Sequence, residues 1–152
     1  MTAHERTGWR DQQVSARHRR WGFNCPAVDL DFLMVEYHLG VPVAVVEYKH
    51  HLNRDGDQIN LEHPTYRALG SLADATTAKP LPFLVVRYWP DTWAMRVRPV
   101  NARAREFLLD GWTDMTERQY VAGLYRMRNL VADDAVLRNL NHVPPPPRSD
   151  AA

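Results

Sequence analysis

The chain has 152 residues, 45% of them apolar and 24% charged, which suits one soluble domain around one core. No apolar run approaches bilayer-spanning length, and the opening MTAHERTGWRDQQ has no apolar signal core, so no membrane association and a cytoplasmic location are expected. A net charge of +1 speaks against a protein that merely coats DNA, and the single cysteine, Cys25, excludes an internal disulfide and agrees with a reducing compartment.

Residues 11–20 read as a short helix with Asp11 as N-cap. Gly22 and Pro26 bracket a turn or a short entry strand near Phe23. VDLDFLMVEY, residues 28–37, is rich in β-branched and aromatic residues and alternates at its start, so it reads as a strand. His38-Leu39-Gly40 forms a three-residue hairpin loop with Gly40 in the left-handed position. VPVAVVEYK, residues 41–49, is the return strand, apolar on both faces until Glu47 and hence central in the sheet. Residues 50–60 form a polar, mobile loop. A helix follows from Pro64, with an apolar stripe of Tyr66, Leu69, Leu72 and Ala73. LPFLVVRYW (81–89) and TWAMRVRPV (92–100) are two strands joined through Pro90-Asp91. One helix covers 102–109. Another starts near Thr116, which has capping-box spacing to Gln119, and its stripe is Tyr120, Leu124, Met127 and Leu130 or Val131. A last short helix covers 133–141. The organisation is one domain over residues 1–143 and a Pro-rich disordered tail over 144–152. The order α-β-β-α-β-β-α-α implies an α/β fold, a mixed central sheet of four to five strands flanked by helices.

The first hairpin carries the chemistry. With a loop of His38-Leu39-Gly40, Tyr37 pairs with Val41, Val35 with Val43, Leu33 with Val45, Asp31 with Glu47 and Asp29 with Lys49. Alternation then sends all four polar side chains to one face. Opposed Cβ atoms lie roughly 4.5–5.5 Å apart, so carboxylates there either raise a pKa or bind a cation. A hard divalent cation such as Mg²⁺ suits an oxygen cluster, and Lys49 adds a positive charge for an attacking water or a phosphate. A loop one residue longer or shorter would put Asp31 and Glu47 on opposite faces.

At these residues the segment PAVDLDFLMVEYHLGVPVAVVEYK resembles the PD-(D/E)xK, or restriction-endonuclease-like, nuclease superfamily, with an acid on one strand and acid-x-lysine on its antiparallel neighbour. Glu47-Tyr48-Lys49 matches the E-x-K part. Asp31 stands 16 residues before Glu47 and Asp29 stands 18 before it. Pro26 is separated from Asp29 by Ala27 and Val28, so the "PD" element leaves both acids open; the opposed register favours Asp31. The element order over residues 11–100 also resembles the superfamily's α-β-β-β-α-β core, here with extra C-terminal helices. The resemblance implies that Asp31 or Asp29 and Glu47 hold Mg²⁺ or Mn²⁺, that the carbonyl of Tyr48 adds a ligand, and that Lys49 positions the water while the metal polarises the scissile phosphate. It also implies DNA as substrate, with a homodimer or a partner protein setting the target, and suits a structure-specific recombination or repair nuclease of a phage or mobile element. Glu36 alternates away from Asp31 and is left out.

Basic residues offer phosphate contacts. Arg17, His18, Arg19 and Arg20 cluster on the first helix, and residues 79–105 hold six basic residues against one acid, Asp91. Arg96 and Arg98 share one strand face. Gln58 and Tyr66 follow the motif, but ordinary helix surface or core is their simplest reading. Trp89 and Trp93 stand near a turn where they could stack on bases or fill the core. His50, His51 and His63 lack a cysteine pair, and adjacent strand histidines point apart, which argues against zinc. Two rival readings remain beside the nuclease: a non-catalytic nucleic-acid-binding module on the same fold, and a protein-interaction domain with surface acid–lysine pairs.

Overall fold

The computed structural model describes residues 12–21, 29–36, 39–75 and 79–131. The expected strand near Phe23, the helix over 133–141 and the tail over 144–152 lie outside these residues, as do Cys25, Tyr37 and His38. The elements are α1 (Gln12–Trp21), β1 (Phe32–Glu36), β2 (Val41–His50), α2 (Pro64–Ala75), β3 (Phe83–Trp89), β4 (Ala94–Pro99), α3 (Ala102–Arg105), β5 (Thr113–Met115) and α4 (Glu117–Asn129). The strands form one mixed five-stranded sheet in the order β1-β2-β3-β4-β5. β2 and β3 run parallel, joined through α2, and the other neighbours are antiparallel. The fold is thus α/β, a mixed sheet flanked by helices.

Strand alternation builds two cores. Ala44 and Val46 of β2, Leu84 and Val86 of β3, and Met95 and Val97 of β4 pack with Tyr120 and Met127 of α4. The next residues along, Val45 and Phe83, face the other way and pack with Leu69 and Ala73 of α2. Leu72, expected in the α2 stripe, is exposed; the sheet surface met by α2 is narrow, and Leu69 and Ala73 fill it. On α4 the expected stripe packs as read, with Val131 rather than Leu130 closing it. Thr116 and Gln119 form a reciprocal capping box, so both orphan donors at that helix start are satisfied.

Three further expectations differ from the structure. The helix over 102–109 is only one turn, capped by Asn101 and ended by shortened hydrogen bonds from Glu106 and Phe107 to Arg103 and Ala104. Gly111, at φ 81°, then turns the chain into β5, which pairs with β4 and was too short to carry an alternation signal. The β3–β4 connection spans Pro90 to Trp93, not Pro90-Asp91 alone. Trp93 takes φ 53° and donates its N–H to the Trp89 carbonyl at 2.7 Å, and its ring stacks on Tyr88 at 6.0 Å.

Candidate active site

The hairpin differs from the expected one at its loop and agrees with it at its open end. Glu36 pairs with Val41 and Val35 with Pro42, so four residues, not three, separate the paired ends. Tyr37–Val41 and Val35–Val43 are therefore not pairs. The register shifts between Met34 and Val35, leaving Val43 as the extra residue on β2, and from there Met34 pairs with Ala44, Leu33 with Val45 and Phe32 with Val46. This bulge absorbs the longer loop and restores the expected register toward the site. It also accommodates Pro42, which has no N–H to offer a ladder. Gly40, at φ 63°, holds the left-handed loop position that a side chain would strain. Glu36 is buried on the face away from Asp31 and accepts the Leu39 N–H at 2.6 Å.

Continuing the register past Phe32–Val46 brings Asp31 beside the end of β2. The Tyr48 N–H donates to Asp31 Oδ2 at 2.9 Å, where the main-chain ladder with β1 has ended. Glu47 follows Val45 on the α2 face and is only 6% exposed. Lys49, next on the same face, donates from Nζ to Glu47 Oε1 at 3.0 Å. Glu47 Oε2 is buried and has no hydrogen-bond partner. Burial pushes the Glu47 carboxyl above its ordinary range; the Lys49 hydrogen bond opposes this, and the charge of Asp31 adds to it. Burial works against the charged Lys49, yet its hydrogen bond to Glu47 outweighs that and holds the ammonium above its ordinary range. Tyr66 of α2 stacks on Phe83 at 6.4 Å, and Lys49 Nζ stands 5.8 Å from its ring centre. It is thus core residue and site wall at once.

The donor chemistry fits a small divalent cation. An orphaned, buried carboxylate oxygen on Glu47 and the carboxylate of Asp31 are hard oxygen donors, and Mg²⁺ commonly takes one or two carboxylates and keeps waters. Among the described residues no three His, Cys, Asp or Glu side chains cluster around one point, so the remaining ligands would be the Tyr48 carbonyl and water. The groups acting on Glu47 and Lys49 are Asp31, Tyr66 and each other. Asp29 is exposed in the chain leading into β1 and is not among them, nor is the α1 cluster. Arg17, Arg19 and Arg20 are exposed on α1, and the His18 ring meets Trp21 edge-on at 4.6 Å.

Beside Lys49 lies a feature that sequence reading missed. Lys49 neighbours Arg87 on β3, and Arg87 is opposed by Arg96 on β4, all on the α2 face. Asp57, from the β2–α2 loop, bridges the two arginines, Oδ1 to Arg87 and Oδ2 to Arg96. Burial opposes its charge, but hydrogen bonds from Arg87 and Arg96 hold Asp57 below the ordinary carboxylate range. Arg96 also donates from Nε to Asp114 of β5 at 2.6 Å. Trp112 donates its indole N–H to the Asp57 carbonyl at 2.9 Å, and Arg87 reaches the His51 carbonyl at 2.8 Å. The loop over 50–60, expected to be mobile, is therefore tied to three strands' worth of side chains. Arg96, expected on phosphate, is already engaged by two carboxylates, while Arg98 lies over the Trp112 ring at 5.9 Å. Trp89 sits beneath Arg87 and Arg96, at 5.1 and 5.9 Å. His50 ends β2 and His51 begins the loop, so their rings meet at 4.4 Å instead of pointing apart. Arg87 carried the one available hint: a lone arginine inside an apolar strand is a buried charge needing a partner.

No family model matches this chain, and neither the curated proteins nor the solved structures compared with it give a match.

Proposed function

We propose that the chain is a metal-dependent nuclease of the PD-(D/E)xK type that hydrolyses DNA phosphodiester bonds. One observation carries this reading: Asp31, Glu47 and Lys49 converge at the open end of one hairpin, with a buried Glu47 oxygen left unpartnered. The topology supports it, since an acid-bearing antiparallel strand, the E-x-K strand, a helix and a parallel strand follow in the order of that superfamily's core.

Asp31 and Glu47 would hold Mg²⁺ or Mn²⁺, with the Tyr48 carbonyl as a further ligand. The bound cation supplies Lewis-acid polarisation of the phosphate and charge stabilisation at the leaving oxygen. Lys49, kept protonated by Glu47, donates to the attacking water and to the developing phosphorane charge. The water oxygen bonds to phosphorus as the bond to the leaving sugar oxygen breaks; the water loses a proton and the leaving oxygen gains one. Tyr66 and α2 wall the site on one side, which limits water around Lys49.

The test is a cleavage assay in Mg²⁺ or Mn²⁺ on single-stranded, duplex, flap and four-way-junction DNA, with Lys49→Ala beside the wild type. Cleavage by the wild type, lost in Lys49→Ala while DNA binding persists, is the expected result. Equal cleavage by both proteins removes the proposed site, and no cleavage of any substrate removes the activity.

A further inference from the structure

Arg87 and Arg96 are directly opposed on neighbouring strands, an arrangement that repels unless an anion stands between them. The Arg87 side chain is only 10% exposed, and its Nε is buried without a partner. A guanidinium pair so placed is a fork shaped for a carboxylate or a phosphate. The anion now in it is Asp57, with one oxygen on each arginine. Asp57 belongs to a loop, its side chain is 38% exposed, and Gly56 before it takes φ 53°. Asp114 takes the other edge of Arg96, so Asp57 is the single negative charge shared by the pair. The fork shares a face with Lys49, one to two strand spacings away, roughly 5–10 Å. That is the scale of the step between consecutive phosphates of one strand.

We propose that Arg87 and Arg96 form a binding fork for a backbone phosphate next to the scissile one, and that Asp57 closes this fork as an internal substitute for that phosphate. The fork rests on the nuclease reading for its ligand, polynucleotide backbone, but not for its chemistry. Entry of the strand displaces Asp57 and releases the β2–α2 loop, so the protein binds nucleic acid against its own carboxylate. A merely structural ion pair makes the opposite prediction: its removal weakens the loop and gains nothing for the ligand.

The experiment measures binding of fluorescently labelled single-stranded and duplex oligonucleotides by the full chain in EDTA, which prevents metal-dependent cleavage, across a salt series. Asp57→Ala is expected to bind about 3- to 10-fold more tightly, with the slope of log K against log[salt] steeper by about 0.7–0.9 for the one phosphate gained. Adding Arg87→Ala to it removes the gain. Asp57→Asn, which keeps the side-chain volume and one hydrogen-bonding oxygen, shifts in the same direction and serves if Asp57→Ala does not fold. Unchanged or weaker binding with an unchanged slope, in a variant of native circular dichroism, overturns the fork. Inorganic pyrophosphate gives a second readout: it should raise the Tm of Asp57→Ala more than that of the wild type, and equal shifts count against the fork. The two readings separate cleanly. Tighter binding by Asp57→Ala in a chain that cuts nothing keeps the fork and removes the nuclease; intact cleavage with no gain in binding does the reverse.

Discussion

The two faces of the sheet are built from alternate residues of the same strands, yet they bury different things. Toward α4, β2 and β3 present Ala44, Val46, Leu84 and Val86, an apolar surface that continues through Met95 and Val97. Toward α2, the same strands begin with Val45 and Phe83 and end with Glu47, Lys49 and Arg87. The α2 helix covers the apolar half and leaves the charged half to the β2–α2 loop. One face is therefore a continuous stabilising core, while the other divides into core and candidate site within a few residues. Stability and chemistry should then respond to different substitutions, and that separation is open to test.

The largest expected effect lies on the charged face. Lys49→Ala should lower metal-dependent cleavage by about 10²–10⁴-fold, the usual range for losing a positioned proton-transfer or charge-stabilising group. Thermal unfolding should change little, because the Lys49–Glu47 pair stands at a partly exposed edge. A large fall in Tm would show instead that the pair is a structural strut and would blur the comparison. On the opposite face, Leu84→Ala should cost about 2–5 kcal/mol in denaturant unfolding, with cleavage per folded molecule retained. Loss of activity in a well-folded Leu84→Ala protein would mean the two faces are not independent. A smaller effect is expected at the end of α4, where Thr116→Ala removes the capping box and should cost about 1 kcal/mol with no change in cleavage.

The same contrast explains what was legible in the sequence. The apolar alternation of residues 41–46 demanded that Val45 and Val46 be buried on opposite faces, and this demand fixed the register near Asp31 more firmly than the loop did. The loop itself was misjudged by one residue, and the bulge at Val43 compensated because slipping the strand would have exposed its valines. Glu47 and Lys49 were therefore readable from local pattern. Asp57 was not. Its partners lie 30 and 39 residues away, and nothing in the local sequence N-R-D-G-D distinguishes a tied aspartate from a solvated turn residue. β5 failed for a different reason: three residues are too few for alternation to show, and its pairing is supplied by β4 and by the Arg96–Asp114 contact.

The smallest expected effect is a pH dependence at Asp57. Its carboxyl is held below the ordinary value of 3.8 in the folded protein, with burial opposing and the hydrogen bonds from Arg87 and Arg96 prevailing. A depressed carboxylate contributes stability that is present above the unfolded pKa and is lost as pH falls through the folded one. Asp57→Asn should therefore be less stable than the wild type at neutral pH, and the difference should shrink as pH is taken below about 3.8. Solvent reaches the Asp57 side chain, so screening keeps the neutral-pH difference under about 1 kcal/mol. Paired denaturation curves of the two proteins at pH 7 and near pH 3 measure it. A difference that persists undiminished in acid would mean that Asp57 holds the loop through shape and hydrogen bonding rather than charge. The charged half of the α2 face would then be mechanical support, and its distinction from the α4 core would be one of degree.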